Sequence, residues 1–177
     1  MSRAIKYYNF SQFYANYTAR ILNLRQAKIR GEVIVAKPVL MLVLIDGVES
    51  GVFANNRFVL NEWLEDHYMK LMIQYTHQSQ FDKPTEINNP FWHLSTDGFW
   101  HFQLKTKEEM SVTPSKTWLK ENVSYACFDE DLWVLLQNKE WRTRLRDFIV
   151  EHKLGGGGSC KENKNNYLFR TLFGSAC

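Results

Sequence analysis

The sequence predicts an α+β fold: a single, mainly helical domain with one small antiparallel hairpin. Apolar residues recur at helical spacing in several separate stretches, and aromatic and polar residues alternate on both sides of Thr96-Asp97-Gly98. Of the 177 residues, 45% are apolar, enough for one core of ordinary size. Only Cys127 lies in the body of the chain, with Cys160 and Cys177 near its end, which argues against a disulfide scaffold or a cysteine-rich zinc module.

Along the chain, Ser11 is placed to cap a helix reaching about Arg30, with Phe13, Tyr17, Ile21 and Leu24 on one face and basic residues gathered at its C-terminal end. The phrase "AKPVLMLVLIDGVESG" follows. Its β-branched residues favour a buried strand, while Pro38 in a first-turn position favours a buried helix, and the pattern leaves both open. Asn55-Asn56 marks a turn, residues 58–60 a short extended piece, and Asn61 the cap of a second amphipathic helix. That helix carries Trp63, Leu64, Tyr68, Leu71, Met72 and Tyr75 and runs to about Gln78.

Residues 90–95 and 99–105 flank Thr96-Asp97-Gly98 and read as the two strands of the hairpin. Alternation separates Trp92 and Leu94 from Phe91 and His93, and Trp100, Phe102 and Leu104 from Phe99, His101 and Gln103. Thr113-Pro114-Ser115 then opens a short helix through Trp118 and Leu119, and Asp129 caps one carrying Leu132, Trp133, Leu135 and Leu136. A last helix, from about Glu140 to Lys153, presents Trp141, Leu145, Phe148 and Ile149. The domain is expected to span residues 1–154. Residues 155–177 begin "GGGGS" and read as a flexible linker and tail outside the fold, either a non-native extension or a peptide closed between Cys160 and Cys177.

The formal charge is +3, and the tail's Lys161, Lys164 and Arg170 against Glu162 leave about +1 for residues 1–154. That balance argues against binding a polyanion by bulk charge, and any nucleic-acid contact has to come from a local patch. The longest apolar run, residues 38–45, is too short to cross a bilayer, and the N-terminal stretch mixes cations with its aromatics. A cytoplasmic protein without a membrane partner is expected.

No catalytic, cofactor or metal site emerges. His93 and His101 supply two potential metal ligands across the hairpin but no third or fourth, and Cys127, in an apolar setting, reads as buried and inert. The carboxylates of "FDED", residues 128–131, are accounted for by helix capping, and no phosphate-binding glycine loop occurs. What remains is a set of cations beside aromatics and a proline: Lys37-Pro38, Asn89-Pro90-Phe91-Trp92, Lys116 and Lys120. Cations position phosphates and apolar groups discriminate by shape, so a nucleic-acid contact is open to these residues, with core packing the default for the aromatics.

Four phrases in register carry a resemblance over nearly all of residues 30–154: "AKPVLMLVLIDGVESG", "NNRFVLNEWLEDHY", "NPFWHLSTDGFWHFQL" and "SKTWLKENVSYACFDEDLWVLLQNKEWRTRLRDFIVE". In order and spacing they resemble the N-terminal recognition domain of HNH-type restriction endonucleases, relatives of which include the sulfur-binding domains of type IV restriction enzymes. The resemblance implies that the Lys-Pro phrase begins a buried helix and that the domain binds duplex DNA carrying a modification, phosphorothioate among the possibilities. It places Asn89, Pro90 and His93 around the sulfur and Lys37, Lys116 and Lys120 on phosphates. Asn89 and His93 are more polar than the aromatic and small residues that characterised relatives carry at these positions. The nuclease is expected to be a separate or fused HNH domain beyond Leu154, so this chain should bind and not cut. The alternative is a protein-interaction or regulatory module docking through an aromatic face.

Overall fold

A computed structural model describes residues 8–76, 83–105 and 112–155; the tail beyond Gly155 lies outside the described residues. The fold is built around one helix, α2 (Ala36–Glu49), whose residues from Ala36 through Ile45 are all buried. A helix apolar on every side belongs in an interior, and Pro38 falls in its first turn, where a backbone N–H would have no helical partner to lose. The helical reading of the Lys-Pro phrase thus holds over the strand reading.

Around α2 pack α3 (Glu62–Thr76), α4 (Asn88–His93), α6 (Glu130–Gln137) and α7 (Lys139–Lys153), while α1 (Phe10–Leu22) covers α6 and α7. Two ion pairs fasten α7 to α2: Arg146 Nε to Asp46 at 2.7 Å and Arg142 Nε to Glu49 at 3.1 Å. Two caps fall where the sequence puts them. Asn61 Oδ1 accepts from Leu64 N at 2.9 Å to start α3, and Ser115 Oγ from Trp118 N at 3.1 Å to start α5 (Lys116–Asn122).

Gly47 marks where α2 comes closest to its surroundings. A Cβ there would lie 2.5 and 2.6 Å from the Phe53 ring and 3.0 Å from Trp63. Gly47→Ala should therefore destabilise by about 1–3 kcal/mol despite alanine's better helix propensity, checked by urea unfolding.

Three expectations are corrected. The first helix is capped by Asn9, whose Oδ1 accepts from Gln12 N at 3.1 Å, and it ends at Leu22. Asn23 Nδ2 donates to Ala19 O at 2.9 Å, and the chain then forms a hairpin of β1 (Lys28–Ile29) and β2 (Glu32–Val33). Its tip residues, Arg30 and Gly31, have φ of 51° and 85°, the left-handed pair that a two-residue hairpin turn requires.

Residues 90–95 form no strand. Asn88–His93 is α4, continued by a 3-10 turn at Leu94–Asp97 that Gly98 ends at φ 82°. Ile87, Phe91 and Leu94 are buried at the i, i+4, i+7 spacing of a helix, and Pro90 again sits in a first turn. The strand expectation had put Phe91 and Leu94 on opposite faces by alternation, whereas the helix buries both on one side and leaves Trp92 and His93 half-buried. The second predicted strand is present as β3 (Trp100–Leu104), with the expected alternation, but its antiparallel partner is β4 (Val123–Phe128), pairing Trp100 with Phe128 and Phe102 with Ala126.

The flank of β4 away from β3 is also occupied. Ala126 exchanges both backbone bonds with Phe58, at 2.7 and 2.8 Å, and Phe128 exchanges both of its own with the Asn56 carboxamide, at 2.8 and 2.9 Å.

Finally, Asp129 stands at the N-terminus of α6 without capping it through its side chain. Its carboxylate instead accepts from Tyr17 Oη at 3.2 Å, Arg20 at 3.4 Å and His101 Nε2 at 2.6 Å. Burial first, and the Asp129 charge second, push the Tyr17 hydroxyl well above the usual phenol range.

Candidate functional site

The six residues singled out from sequence occupy three elements. Lys37 is in the first turn of α2, Asn89, Pro90 and His93 are on α4, and Lys116 and Lys120 are on α5. The first two elements are joined directly. Lys37 Nζ lies 2.6 Å from Asp97 Oδ2 and 3.3 Å from Thr96 Oγ1, so the 3-10 turn following α4 holds the start of α2. Both charges are withdrawn from water, with side-chain exposures of 10% for Lys37 and 4% for Asp97. At that depth the pair is a structural joint, because removing either partner would strand a buried charge.

Asp97 has a second partner. Its Oδ1 accepts from the backbone N–H of Arg25 at 2.9 Å, immediately before the β1–β2 hairpin. Lys153, at the end of α7, feels the same carboxylate: burial pushes its pKa down, and the Asp97 charge opposes the shift. One acidic side chain thus connects α2, the α4 segment 88–97 and the root of the hairpin.

On α4, Pro90 is buried, Asn89 is exposed and His93 is half-buried. His93 Nε2 is hydrogen-bonded to Thr113 Oγ1 at 2.6 Å, and Asn88 Nδ2 donates to Pro114 O at 2.9 Å, tying the helix to the entry of α5. Its other side is fixed by Trp100, whose Nε1 donates to Phe91 O at 2.9 Å. Trp92 stacks on Phe102 with ring centres 4.9 Å apart and meets Trp118 edge-on at 5.9 Å.

Lys116 and Lys120, one helical turn apart, converge on Glu65 of α3 rather than on Lys37. Both lysines are more than 40% exposed, so their attraction to Glu65 is screened and exchangeable. The two histidines do not meet: His101 is on β3 against Asp129. Among the described residues no three His, Cys, Asp or Glu side chains gather as a metal site would need. Cys127 is half-buried, and burial together with Asp129 and Glu130 raises its thiol pKa, the opposite of what an activated nucleophile needs.

The sequence reading passed over one group of cations. Arg25, Lys28 and Arg30 are exposed, and none forms an ion pair among the described residues. Their clustering at the supposed end of the first helix was the available signal, assigned there to the helix dipole.

The ScoMcrA-like, DNA sulfur-binding domain family matches residues 15–156, a span that takes in the hairpin, the Lys37–Asp97 joint, α4 and α5. The chain belongs to that family. Its fold is similar to that of a family structure described as the sulfur binding domain of ScoMcrA complexed with phosphorothioated DNA, at a TM-score of 0.63 and 18% identity. The likeness covers 89% of this chain and 98% of the other. A search of curated proteins gave no match. As a family member, the chain is a DNA-binding domain in which α4 and the first turn of α2 share one buried joint.

Proposed function

We propose that this domain reads DNA carrying phosphorothioate in its backbone, acting in the cytoplasm as the recognition part of an HNH-type restriction endonuclease whose cutting is done by a separate domain. The observation that carries the reading, beside family membership, is that α4 is held rigidly on three sides while Asn89 remains exposed beside the buried ring of Pro90. Sulfur in place of a nonbridging oxygen is larger, softer and less strongly hydrated. An apolar surface next to fixed polar groups can therefore favour it through its lower desolvation cost.

In this reading Asn89, Pro90 and His93 border the sulfur. Lys37, Lys116 and Lys120 serve the neighbouring phosphates, sharing their charge with Asp97 and Glu65. The sharing argues for modest electrostatic affinity and for discrimination resting on α4. Docking through an aromatic face is less favoured, because no Trp or Phe among the described residues is exposed.

The test is a titration at fixed salt of a duplex with one phosphorothioate linkage against its unmodified match. Tighter binding of the modified duplex is expected; equal affinities would remove the sulfur claim, and no binding at low salt the DNA claim. Asn89→Asp, a surface change that puts a carboxylate at the exposed corner of α4, should weaken modified duplex about tenfold. Unchanged affinity would show that α4 does not face DNA.

A further inference from the structure

Residues 25–32 carry Arg25, Lys28 and Arg30 against Glu32, a net +2, whereas residues 1–154 together carry only about +1. Helix α7 also sums to +2, but its Arg142, Arg144 and Arg146 are each ion-paired, whereas the hairpin holds its charge on a short, exposed projection. It is also well anchored. Gln26 Nε2 donates to Ile34 O at 2.9 Å and Ile34 N to Ala27 O at 2.8 Å, extending the ladder below the β1–β2 pairs. At the root, the chain entering the hairpin and the chain leaving it are both held by Asp97, through Arg25 N–H at 2.9 Å and the Lys37 ammonium at 2.6 Å. The hairpin is therefore fixed to the segment that contains α4.

Its cations stand apart from the others near the reader segment. Lys37, Lys116 and Lys120 each face a carboxylate, whereas Arg25, Lys28 and Arg30 have none in ion-pair range among the described residues. Such side chains bind phosphates without first giving up an internal partner. The left-handed turn at Arg30-Gly31 sets the arginine at the tip, where the backbone of a duplex is most easily reached.

We propose that the β1–β2 hairpin is a DNA-backbone arm: Arg25, Lys28 and Arg30 bind phosphates flanking the modified linkage, and Asp97 holds the arm in register with α4. This rests on the proposed DNA-reading function and adds to it a division of labour, with α4 discriminating and the arm supplying most of the salt-dependent affinity. Phosphate binding positions a protein but carries no information about the modification, so the two roles separate experimentally.

The experiment uses the full chain, the same modified and unmodified duplexes, and a salt series. The triple variant Arg25→Ala, Lys28→Ala, Arg30→Ala should weaken binding to both duplexes by tenfold or more. It should lower the slope of log affinity against log salt by about two to three, roughly 0.9 for each phosphate no longer neutralised, and leave the modified-to-unmodified ratio unchanged. Arg30→Glu alone should lower the slope by about one. The replaced side chains are exposed, so both variants should melt with the wild type. Unchanged affinity and slope, in a background where wild type still discriminates, would overturn the arm. So would a lost ratio at unchanged slope. Failure of wild type to bind either duplex would instead sink the DNA-reading function itself.

Discussion

Asp97→Ala is expected to lower the free energy of unfolding by about 3–5 kcal/mol, the usual consequence of removing one partner of a buried ion pair. The Lys37 ammonium would keep only Thr96 Oγ1, at 3.3 Å, in a setting where its side chain is 10% exposed, and the Arg25 N–H would lose its acceptor. Urea unfolding of the full chain at neutral pH is the measurement. A loss below about 1 kcal/mol would mean the pair is solvated and does not hold the two elements. The double variant Lys37→Met, Asp97→Leu should recover much of the loss, because two apolar side chains of similar size owe nothing to solvation. The same comparison explains why Lys37→Ala is a poor probe of DNA binding: it would leave the Asp97 carboxylate buried alone and disturb the fold along with the phosphate interaction.

Trp100→Ala should cost a similar amount, about 3–5 kcal/mol, through loss of a large buried ring and incomplete collapse around the cavity. Trp100 is 1% exposed, with the rings of Phe128, Phe91 and Phe58 centred 5.0, 5.4 and 5.5 Å away. Trp100→Phe separates the ring from the hydrogen bond. It keeps most of the packing but leaves Phe91 O without its donor, a loss of about 1–3 kcal/mol. If the phenylalanine variant were as unstable as the alanine one, the bond to α4 rather than ring volume would be holding this region, the reverse of what the packing indicates. Denaturant midpoints of the two variants decide the matter.

Several elements were legible from local pattern because their signals are local. Asn61, Ser115 and the alternation of β3 each act within a few residues, and all three stand where the sequence put them. Helix α2 was not legible that way. An element buried on every side has no periodicity to reveal it, and only the family resemblance separated helix from strand. In α4, six residues are too few for a period to declare itself, and Thr96-Asp97-Gly98 imitates a hairpin turn although it is the end of a 3-10 turn.

The site was hidden for a different reason. Lys37 and Asp97 are 60 positions apart, as the hydrogen bond between them records, and no spacing rule connects them. A lysine beside a proline therefore looks like a free charge, whereas the fold shows it already sharing that charge with a carboxylate. Arg25, Lys28 and Arg30 were misjudged in the opposite direction, as helix-end charges, because the helix was drawn eight residues too long.

A strand with open peptide groups along one side is a template on which another chain can add. On β4 that side is closed at Ala126 by the Phe58 backbone and at Phe128 by a single side-chain amide, Asn56, which presents a donor and an acceptor as a neighbouring strand would. Copies of this domain crowded onto adjacent sites of one duplex would meet at a sealed edge. Their crowding along the DNA would not turn into strand exchange or fibre growth along β4.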